Sequence, residues 1–424
     1  MSGKSFIKQG SIGIGTQTTT ERDAGISTAV GETIFNTTAG NLEFYNGTTW
    51  IPTSASTPTI TSITGNIIVN TASTLTINGS DFGTANLVVR FVQSDDSIDE
   101  TVTVTPTSQT AASVTVPANV RNNVTAGNDV TITVQSEFGL TSDGSTKTAV
   151  EFPAGGDSIT TSGDFRIHTF TQSGILTNTI ANLDVEYLII AGGGGGGGQR
   201  GGGGGAGGYR TNVSGQTSGG GGSAESSMTL SSTGNFPVTV GAGGAAGGTS
   251  PGVGGQGGDS TFNSITSSGG GLARTDDENG ADGGSGAGAG GGGAFSGGSG
   301  TAGQGHDGAD SASNSFSNAG SSGGGAGSAA SSTTGGTIGA GGNGVSSNIT
   351  GIAVTRASGG GGGSSHGSGN APAPVGGGST GGNSGTAAND ATANTGGGGG
   401  GGGTGGGSAG GSGIVIIRYD TTSI

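Results

Sequence analysis

Glycine runs dominate the second half of this chain and limit what it can fold into. Residues 192–413 contain 87 Gly among 222 residues, with unbroken runs at 192–198, 201–205 and 396–403. Such segments cannot build a core of side chains, and glycine loses more backbone entropy on ordering than any other residue. Composition alone therefore favours a disordered tail. Disordered chains are usually rich in charge, however, and charged residues make up only 9% of this sequence.

Short apolar segments border the glycine runs and favour an ordered structure instead. They lie at residues 185–191, 238–240, 352–358 and 414–417. Residues 188–190 and 414–417 are apolar at every position, which is typical of strands buried on both faces. The sequence therefore predicts a platform of short strands from which glycine segments project.

Packed polyproline II helices would give these glycine segments a fold without a hydrophobic core. This helix has three residues per turn, rises about 3.1 Å per residue and directs its N–H and C=O groups outward. Without side chains, neighbouring helices can approach until these groups bond to one another. We expect residues 396–407 to form one such helix, about 37 Å long at that rise, with large side chains excluded to the ends of the bundle.

The borders of the glycine runs also resemble a known family. The residues that carry the resemblance are Tyr-Leu-Ile-Ile-Ala and seven glycines at 187–198, Gly-Gly-Tyr-Arg at 207–210, and Gly-Ile-Val-Ile-Ile-Arg-Tyr at 413–419. They resemble the glycine-rich domain of structural proteins of tailed phages, notably marine ones. They are similar in principle to the polyglycine II sandwich of receptor-binding adhesins on T-even-like long tail fibres. The resemblance implies attachment to a host surface through loops at the distal end of the bundle.

The segment at 57–156 alternates at period two, with Thr or Ser between apolar residues in most of its strands, which predicts a β-sandwich with one buried face. The expected strands include residues 74–77, 87–92, 101–104, 113–116 and 130–134. The stretches at 75–83 (LTINGSDFG) and 138–140 (FGL) resemble the IPT/TIG type of immunoglobulin-like domain. That resemblance implies only a spacer or an interaction module.

The segment at 1–56 predicts a small β-hairpin that anchors the chain. An isolated hairpin cannot bury its aromatic side chains, and those of this one are Phe35, Phe44, Tyr45 and Trp50. We expect them to meet another chain, in a homotrimer or on another virion protein; an ordinary surface hairpin is the alternative. The spacing of Gly, Ile, Asn, Leu, Tyr and Trp at 31–50 resembles short repeats of bacteriophage tail-fibre and appendage proteins, found beside anchoring segments.

Charge and composition exclude several classes of partner. The net charge is −15, from 12 Lys and Arg against 27 Asp and Glu, so a grip on nucleic-acid phosphates or anionic membranes is not expected. No apolar run approaches the ~18 residues of a membrane span, and the N-terminus lacks the apolar region of an export signal. We expect assembly in a host cytoplasm and an extracellular location as part of a virion.

The sequence predicts no catalytic, cofactor or metal site. Its three histidines, His168, His306 and His366, are far apart, and Cys is absent. Acidic clusters at 95–100 and 276–278 could bind Ca²⁺, but solvated charge is the favoured interpretation. A catalytic Ser-His-Asp set stays open, but Ser is so abundant that finding a match carries no information.

The side chains that interrupt the glycine region are the candidate receptor-binding residues. If glycine segments form a shaft, the interruptions at 272–279, 304–316 and 366–375 are its exposed ends, where planar and hydrogen-bonding groups suit a polar receptor. Merely solvated turns are the alternative. The candidates are Arg274, Asp276, Asp277, Glu278, His306, Asp307, Phe316, His366, Pro372 and Pro374.

Together these features predict an all-β fold with polyglycine II. The expected parts are a hairpin segment (1–56), an immunoglobulin-like spacer (57–156) and a glycine-rich adhesin domain (157–424). The predicted function is a non-enzymatic phage tail fibre or appendage, bound to tail, baseplate or head proteins, that recognises a host saccharide or outer-membrane protein. A head or baseplate decoration protein without receptor binding, or a bacterial extracellular adhesin, is the alternative.

Overall fold

The chain is almost entirely strand and glycine structure, in two compact units, Met1–Phe152 and Pro153–Ile424. The computed structural model describes residues 15–24, 29–249, 252–311, 319–332, 338–365, 371–372, 374–384 and 386–424. Its helical elements in these ranges are α1 (Thr19–Asp23), α2 (Ala118–Asn123) and a 3₁₀ turn at Thr421–Ser423. The predicted all-β fold with a glycine-rich C-terminal domain is therefore confirmed, while the division at residues 56 and 156 stays a prediction.

The first sheet is larger than the predicted hairpin. Its strands, in spatial order, are β1 (Gly15–Gln17), β2 (Thr33–Asn36), β3 (Asn41–Tyr45) and β4 (Trp50–Pro52). The predicted hairpin lacked β1, which pairs in parallel with β2 across the intervening helix α1. Parallel strands are not joined by a tight turn, so the sequence has no turn residues that would indicate this pairing. A capping box of Thr18 and Glu21 begins α1, and Arg22 in this helix donates to the buried Glu43 carboxylate at 2.8 Å.

Eight further strands of the first unit form two sheets around one core. They are β5 (Thr59–Thr64), β6 (Ile67–Ile68), β7 (Thr74–Ser80), β8 (Leu87–Gln93), β9 (Ile98–Val104), β10 (Ala111–Thr115), β11 (Asp129–Gln135) and β12 (Ser145–Val150). One sheet has the order β10-β7-β5 and the other β6-β12-β11-β8-β9. Ile77 from the first sheet and Phe91 and Ile132 from the second share a fully buried cluster. All five strands expected from alternation are present.

The described part of the second unit contains twelve strands, some of which pair with strands far away in the sequence. They are β13 (Ser158–Ser162), β14 (Phe165–Phe170), β15 (Gly174–Asn178), β16 (Leu183–Ile190), β17 (Tyr209–Thr211), β18 (Met228–Leu230), β19 (Gly234–Thr239), β20 (Ser260–Phe262), β21 (Ile265–Ser267), β22 (Val345–Ser347), β23 (Val354–Arg356) and β24 (Ile414–Asp420). The main sheet has the order β13-β14-β24-β16-β17, with β18 also on β16, and a second sheet has the order β15-β19-β20-β21. Residues 188–190 and 415–417 are fully buried, as their apolar composition predicts.

Glycine residues 192–198, called here the central segment, hydrogen-bond outward with a period of three. Successive N–H groups donate to three different neighbours, and every third donor returns to the same one, at N···O distances of 2.7–3.0 Å. The partners are Gly258, Gly255 and Gly252 for residues 192, 195 and 198; Gly411 and Ser408 for residues 193 and 196; and Gly205 and Gly202 for residues 194 and 197. This is the pattern of a three-residue helix without internal hydrogen bonds, the polyproline II helix.

The carbonyl groups of the central segment bind three more neighbours. Gly244 and Gly247, Gly270 and Ala273, and Gly399 and Gly402 donate to them, again three residues apart. In the three segments that donate to the central segment, residue numbers rise in the same direction as in the central segment, so these segments run parallel to it. In the three segments that accept from it, residue numbers fall, so these run antiparallel. The central segment is therefore surrounded by six others, three parallel and three antiparallel, in a lattice of main-chain hydrogen bonds.

The lattice has two different ends. At one, called the strand end, β16, β19, β21 and β23 lead into glycine segments, and β17, β20, β22 and β24 follow them. At the other, called the turn end, the segments are joined by turns. The first is Gln199-Arg200, both with positive φ (46° and 57°), after which residues 201–208 run back antiparallel to the central segment.

Residues 396–407 do not form the single long helix that their composition suggests. Residues 399–402 run parallel to the central segment, but residues 405–411 run antiparallel to it, so the chain reverses at 403–405. Thr404, the one residue with a side chain in this stretch, is exposed at that reversal. A glycine run carries no signal for where it turns, because glycine fits both the helix and the turn.

Close approach explains why these positions are glycine. A Cβ on any residue of the central segment would lie 1.9–2.1 Å from a carbonyl oxygen of a neighbouring segment. Some lattice positions accept alanine, such as the buried Ala273. Where the lattice meets the strands, Ala206, Ala326 and Ala357 are buried in one apolar cluster with Ile190 and Ile416. The lattice is thus continuous with a small hydrophobic core at its strand end.

Candidate functional site

Three turns of the glycine lattice meet at the turn end. They are Gln199-Arg200, residues 275–279 and the reversal at 291–293. Gly291 N–H donates to the Arg200 carbonyl at 2.9 Å, and Asp277 N–H donates to the Gly291 carbonyl at 2.7 Å. Main-chain bonds therefore hold the three turns next to one another.

Arg200 and Asp276 form an ion pair between two of these turns. Only the Oδ2 atom of Asp276 meets Arg200, while Oδ1 is buried without a hydrogen-bond partner in the described part of the chain. Burial consequently raises the pKa of Asp276 above its ordinary value of 3.8, against the opposing effect of the Arg200 hydrogen bond and charge. Asp276 braces the turns and is poorly placed to meet a receptor.

The other three acidic and basic candidates of this turn surround a cavity of about 330 Å³. Arg274 donates to Glu278 at 3.0 Å, both side chains being more than two-fifths exposed, and Asp277 is exposed beside them. Phe295 forms another wall of the same cavity. The structure thus brings Arg274, Asp277 and Glu278 together with an aromatic ring.

His306 and Asp307 lie at the strand end, not with this cluster. The Gln304 carbonyl accepts from Tyr209 N–H at 3.0 Å, and Tyr209 belongs to β17. One carboxylate oxygen of Asp307 accepts a hydrogen bond from Gly300 N–H at 2.7 Å. These two residues therefore lie at an end of the lattice, but at the opposite end from Arg274, because every segment has two ends and the sequence does not say which one an interruption occupies.

The remaining candidates do not join the cluster in the described part of the chain. Pro374 is beside Ser358, whose hydroxyl donates to the Pro374 carbonyl at 3.2 Å, two residues beyond β23 and thus near the strand end. Pro372 is exposed. Phe316 and His366 lie outside the described residues.

The four aromatic residues proposed as an anchor lie on two faces of the first sheet. Phe35 is opposite Leu42, two positions from Phe44 on β3, so Phe35 and Phe44 share one face. Tyr45 is opposite Trp50 on the other face, with ring centroids 5.4 Å apart. Phe35, 38% exposed, is the most open of the four.

A second cluster of charges lies at the strand end, around a cavity of about 590 Å³. Two of its carboxylates are paired with arginines: Glu186 accepts from Arg418 at 2.6 Å, and Glu225 binds Arg210 and also accepts from the Tyr187 hydroxyl at 2.6 Å. Burial and the Glu225 hydrogen bond raise the pKa of Tyr187, which makes this phenol a poorer acid. The pairs brace neighbouring strands.

Other features of the described residues bear on partners. No group of three or more His, Asp or Glu side chains in these ranges is arranged to hold a metal ion. In the acidic segment at 95–100, Asp96 accepts from Thr125 and Asn128, and Asp99 pairs with Arg90 at 2.6 Å, so these two carboxylates are bonded within the fold. No described helix is long and apolar enough to cross a bilayer.

The lattice and its bordering strands coincide with a family match. A family model described as a glycine-rich domain matches residues 170–420, more than half of the chain. The chain belongs to this glycine-rich domain family. The glycine-rich domain match extends from the last residue of β14 to the last residue of β24, so it spans the lattice and most of the strands that border it. No curated protein and no solved structure matches the chain.

Two residues that lie with Arg274, Asp277 and Glu278 at the turn end, Arg200 and Phe295, were not among the candidates predicted from the sequence. Arg200 is 76 residues from its partner Asp276, and Phe295 is an isolated aromatic residue between glycine stretches. The sequence did contain a signal for both residues. Each has a large side chain between glycine runs, and the packed lattice has no room for such a side chain except at its ends.

Proposed function

We propose that this chain is a non-enzymatic virion structural protein of a tailed phage, a tail fibre or other appendage, and that its turn end attaches to the host surface. The observation that carries the proposal is that the glycine segments and the turns of the lattice present different groups. Main-chain groups of the glycine segments are bonded to one another, so only the side chains at the turns are left to distinguish one receptor from another. The resemblance of the glycine borders and of residues 31–50 to phage appendage proteins supports the virion role.

In this proposal the first unit connects the chain to the particle. An exposed Phe35 on a small sheet suits contact with identical chains in a homotrimer or with a tail, baseplate or head protein. The sandwich at 57–156, in the IPT/TIG-like interpretation, acts as a spacer. The receptor is a saccharide or an outer-membrane protein of the host cell.

Localisation on particles tests the virion role. Antibodies against the purified chain are expected to label a tail appendage in electron micrographs and to block adsorption of the virions. Labelling of the capsid or baseplate without an effect on adsorption would favour a decoration protein. Labelling of uninfected bacteria would favour a bacterial adhesin.

Replacement of the exposed turn-end charges tests the receptor role. The triple variant Arg274→Ala, Asp277→Ala and Glu278→Ala leaves the Arg200–Asp276 brace intact and is expected to lose adsorption of the purified chain to host cells. A matched control is Arg90→Ala with Asp99→Ala, which removes an exposed ion pair from the sandwich. Equal adsorption by both variants, with folding verified, would place the adhesive surface elsewhere.

A further inference from the structure

The cavity at the turn end contains hydrogen-bonding groups that the fold does not use. The Asp277 carboxylate makes no hydrogen bond within the described ranges. Asn279 accepts from Ser296 N–H through Oδ1 at 2.9 Å, which leaves its amide N–H groups available, and Arg274 uses only Nη1, on Glu278. Donors and acceptors are therefore both present on one cavity wall, the mixture that a hydroxyl group requires because it donates and accepts at once.

Phe295 contributes a positioned apolar surface to the same cavity. Its N–H donates to the Ser311 hydroxyl at 2.9 Å, and its carbonyl accepts from Ser311 N–H at 2.9 Å. The ring lies close over Gly293, where an added Cβ would be 2.8 Å from it. The main-chain bonds and the contact with Gly293 limit the motion of this ring, so contact with the C–H groups of a ligand costs little entropy for ordering it.

The charge of the cavity disfavours anionic ligands. Asp277 and Glu278 outnumber Arg274, and Arg200 and Asp276 behind them cancel each other. A phosphate, uronate or sialate would meet net negative charge. The volume of about 330 Å³ is at the small end of the roughly 300–1,000 Å³ of ligand pockets.

From the flat ring, the mixed donors and acceptors and the net negative charge, we propose that this cavity binds a neutral hexopyranose unit of a surface polysaccharide. The proposal rests on the receptor-binding role given above and specifies its ligand class. The sugar ring stacks its C–H face on Phe295, and its hydroxyl groups bond Asp277, Asn279 and Arg274.

Saturation-transfer NMR with the full chain tests this site. The probes are the methyl glycosides of glucose, galactose and mannose, and methyl glucuronide as the anionic counterpart. At least one neutral glycoside is expected to bind, and the glucuronide to bind at least about tenfold more weakly. Phe295→Leu, which keeps an apolar side chain but loses the flat face, and Asn279→Ala are each expected to weaken binding about tenfold. Phe236→Leu, at a half-buried aromatic residue in β19, is the matched control and should bind like the unchanged chain.

Three results would overturn the proposal: no neutral glycoside binds, the glucuronide binds as well as its neutral counterpart, or Phe295→Leu and Asn279→Ala both bind like the unchanged chain. Cell adsorption measured on the same preparations separates this proposal from the receptor role. Adsorption that depends on the turn-end charges without any glycoside binding would reject the sugar and keep the receptor role. Glycoside binding by a chain that does not adsorb to cells would keep the cavity and reject the receptor role.

Discussion

At the scale of single residues, glycine is required wherever a Cβ would strike a neighbouring main chain. A Cβ on Gly195 would lie 1.9 Å from the Ala245 carbonyl oxygen, whereas a Cβ on Gly405 would have no atom within 4 Å and no positive φ to strain it. We expect Gly195→Ala to lower the free energy of unfolding of the second unit by about 3 kcal/mol, and Gly405→Ala to change it by less than about 0.5 kcal/mol. Denaturant unfolding of both variants measures this, and equal stability would contradict the lattice.

His168 is the residue through which acid is expected to weaken the second unit. It is fully buried, its Nδ1 lies 2.8 Å from the Gly155 carbonyl oxygen, and its Nε2 has no partner in the described part of the chain. Burial lowers the pKa of His168 below its ordinary 6.5; the Gly155 hydrogen bond opposes this and the Arg166 charge adds to it. As the pH drops below about 6.5, His168 is protonated in the unfolded chain but stays neutral in the folded chain. Protonation therefore favours the unfolded chain, and the stability of the second unit falls.

Thermal unfolding between pH 7.5 and 5.5 measures the effect of His168. We expect the Tm of the second unit to fall over this range, and to fall less in His168→Gln, which cannot ionise. His306→Gln is the control and should keep the full pH dependence. The same slope in all three proteins would show that other groups set the acid sensitivity.

At the scale of elements, the glycine segments are expected to behave like core strands although they are neither strands nor α-helices. Each N–H of the central segment donates within 2.7–3.0 Å, and the whole segment is buried. Hydrogen exchange should therefore protect the amides of residues 192–198 as strongly as those of β16. The amide of Thr404, exposed at a reversal, should exchange fast. Fast exchange throughout residues 192–198 would contradict the ordered lattice.

At the scale of the whole molecule, we expect the chain to associate through its first sheet, as a trimer. Phe35 is 38% exposed on a sheet of four short strands, and burying it between chains removes apolar surface from water. In sedimentation, Phe35→Ser should therefore shift the chain toward monomer at micromolar concentration. Val375→Ser, at a residue 78% exposed in the second unit, should leave the mass unchanged. A monomeric unchanged chain would favour the other proposed anchor, docking on a tail, baseplate or head protein.

The sequence by itself determined some of the strands in each unit and the reason for the glycine. Alternation at period two located β8 and β11, and apolar runs located β16 and the final strand β24, because those patterns report local burial. The glycine runs also showed that any ordered structure there would be held by main-chain bonds. Local pattern sufficed in these cases because each side chain carries the information about its own environment.

Only the tertiary structure decided which segments are neighbours and which side chains meet. Glycine offers the same groups at every position, so nothing in the runs specifies that residues 194 and 197 pair with 205 and 202, or that the chain reverses at 403–405. The candidate site shows the same limit: Arg274 and Glu278 are predictable from one loop, but Arg200 and Phe295 join them through lattice packing. Their proximity is set by the three-residue register and the lengths of the segments, quantities that exist only once the lattice has formed.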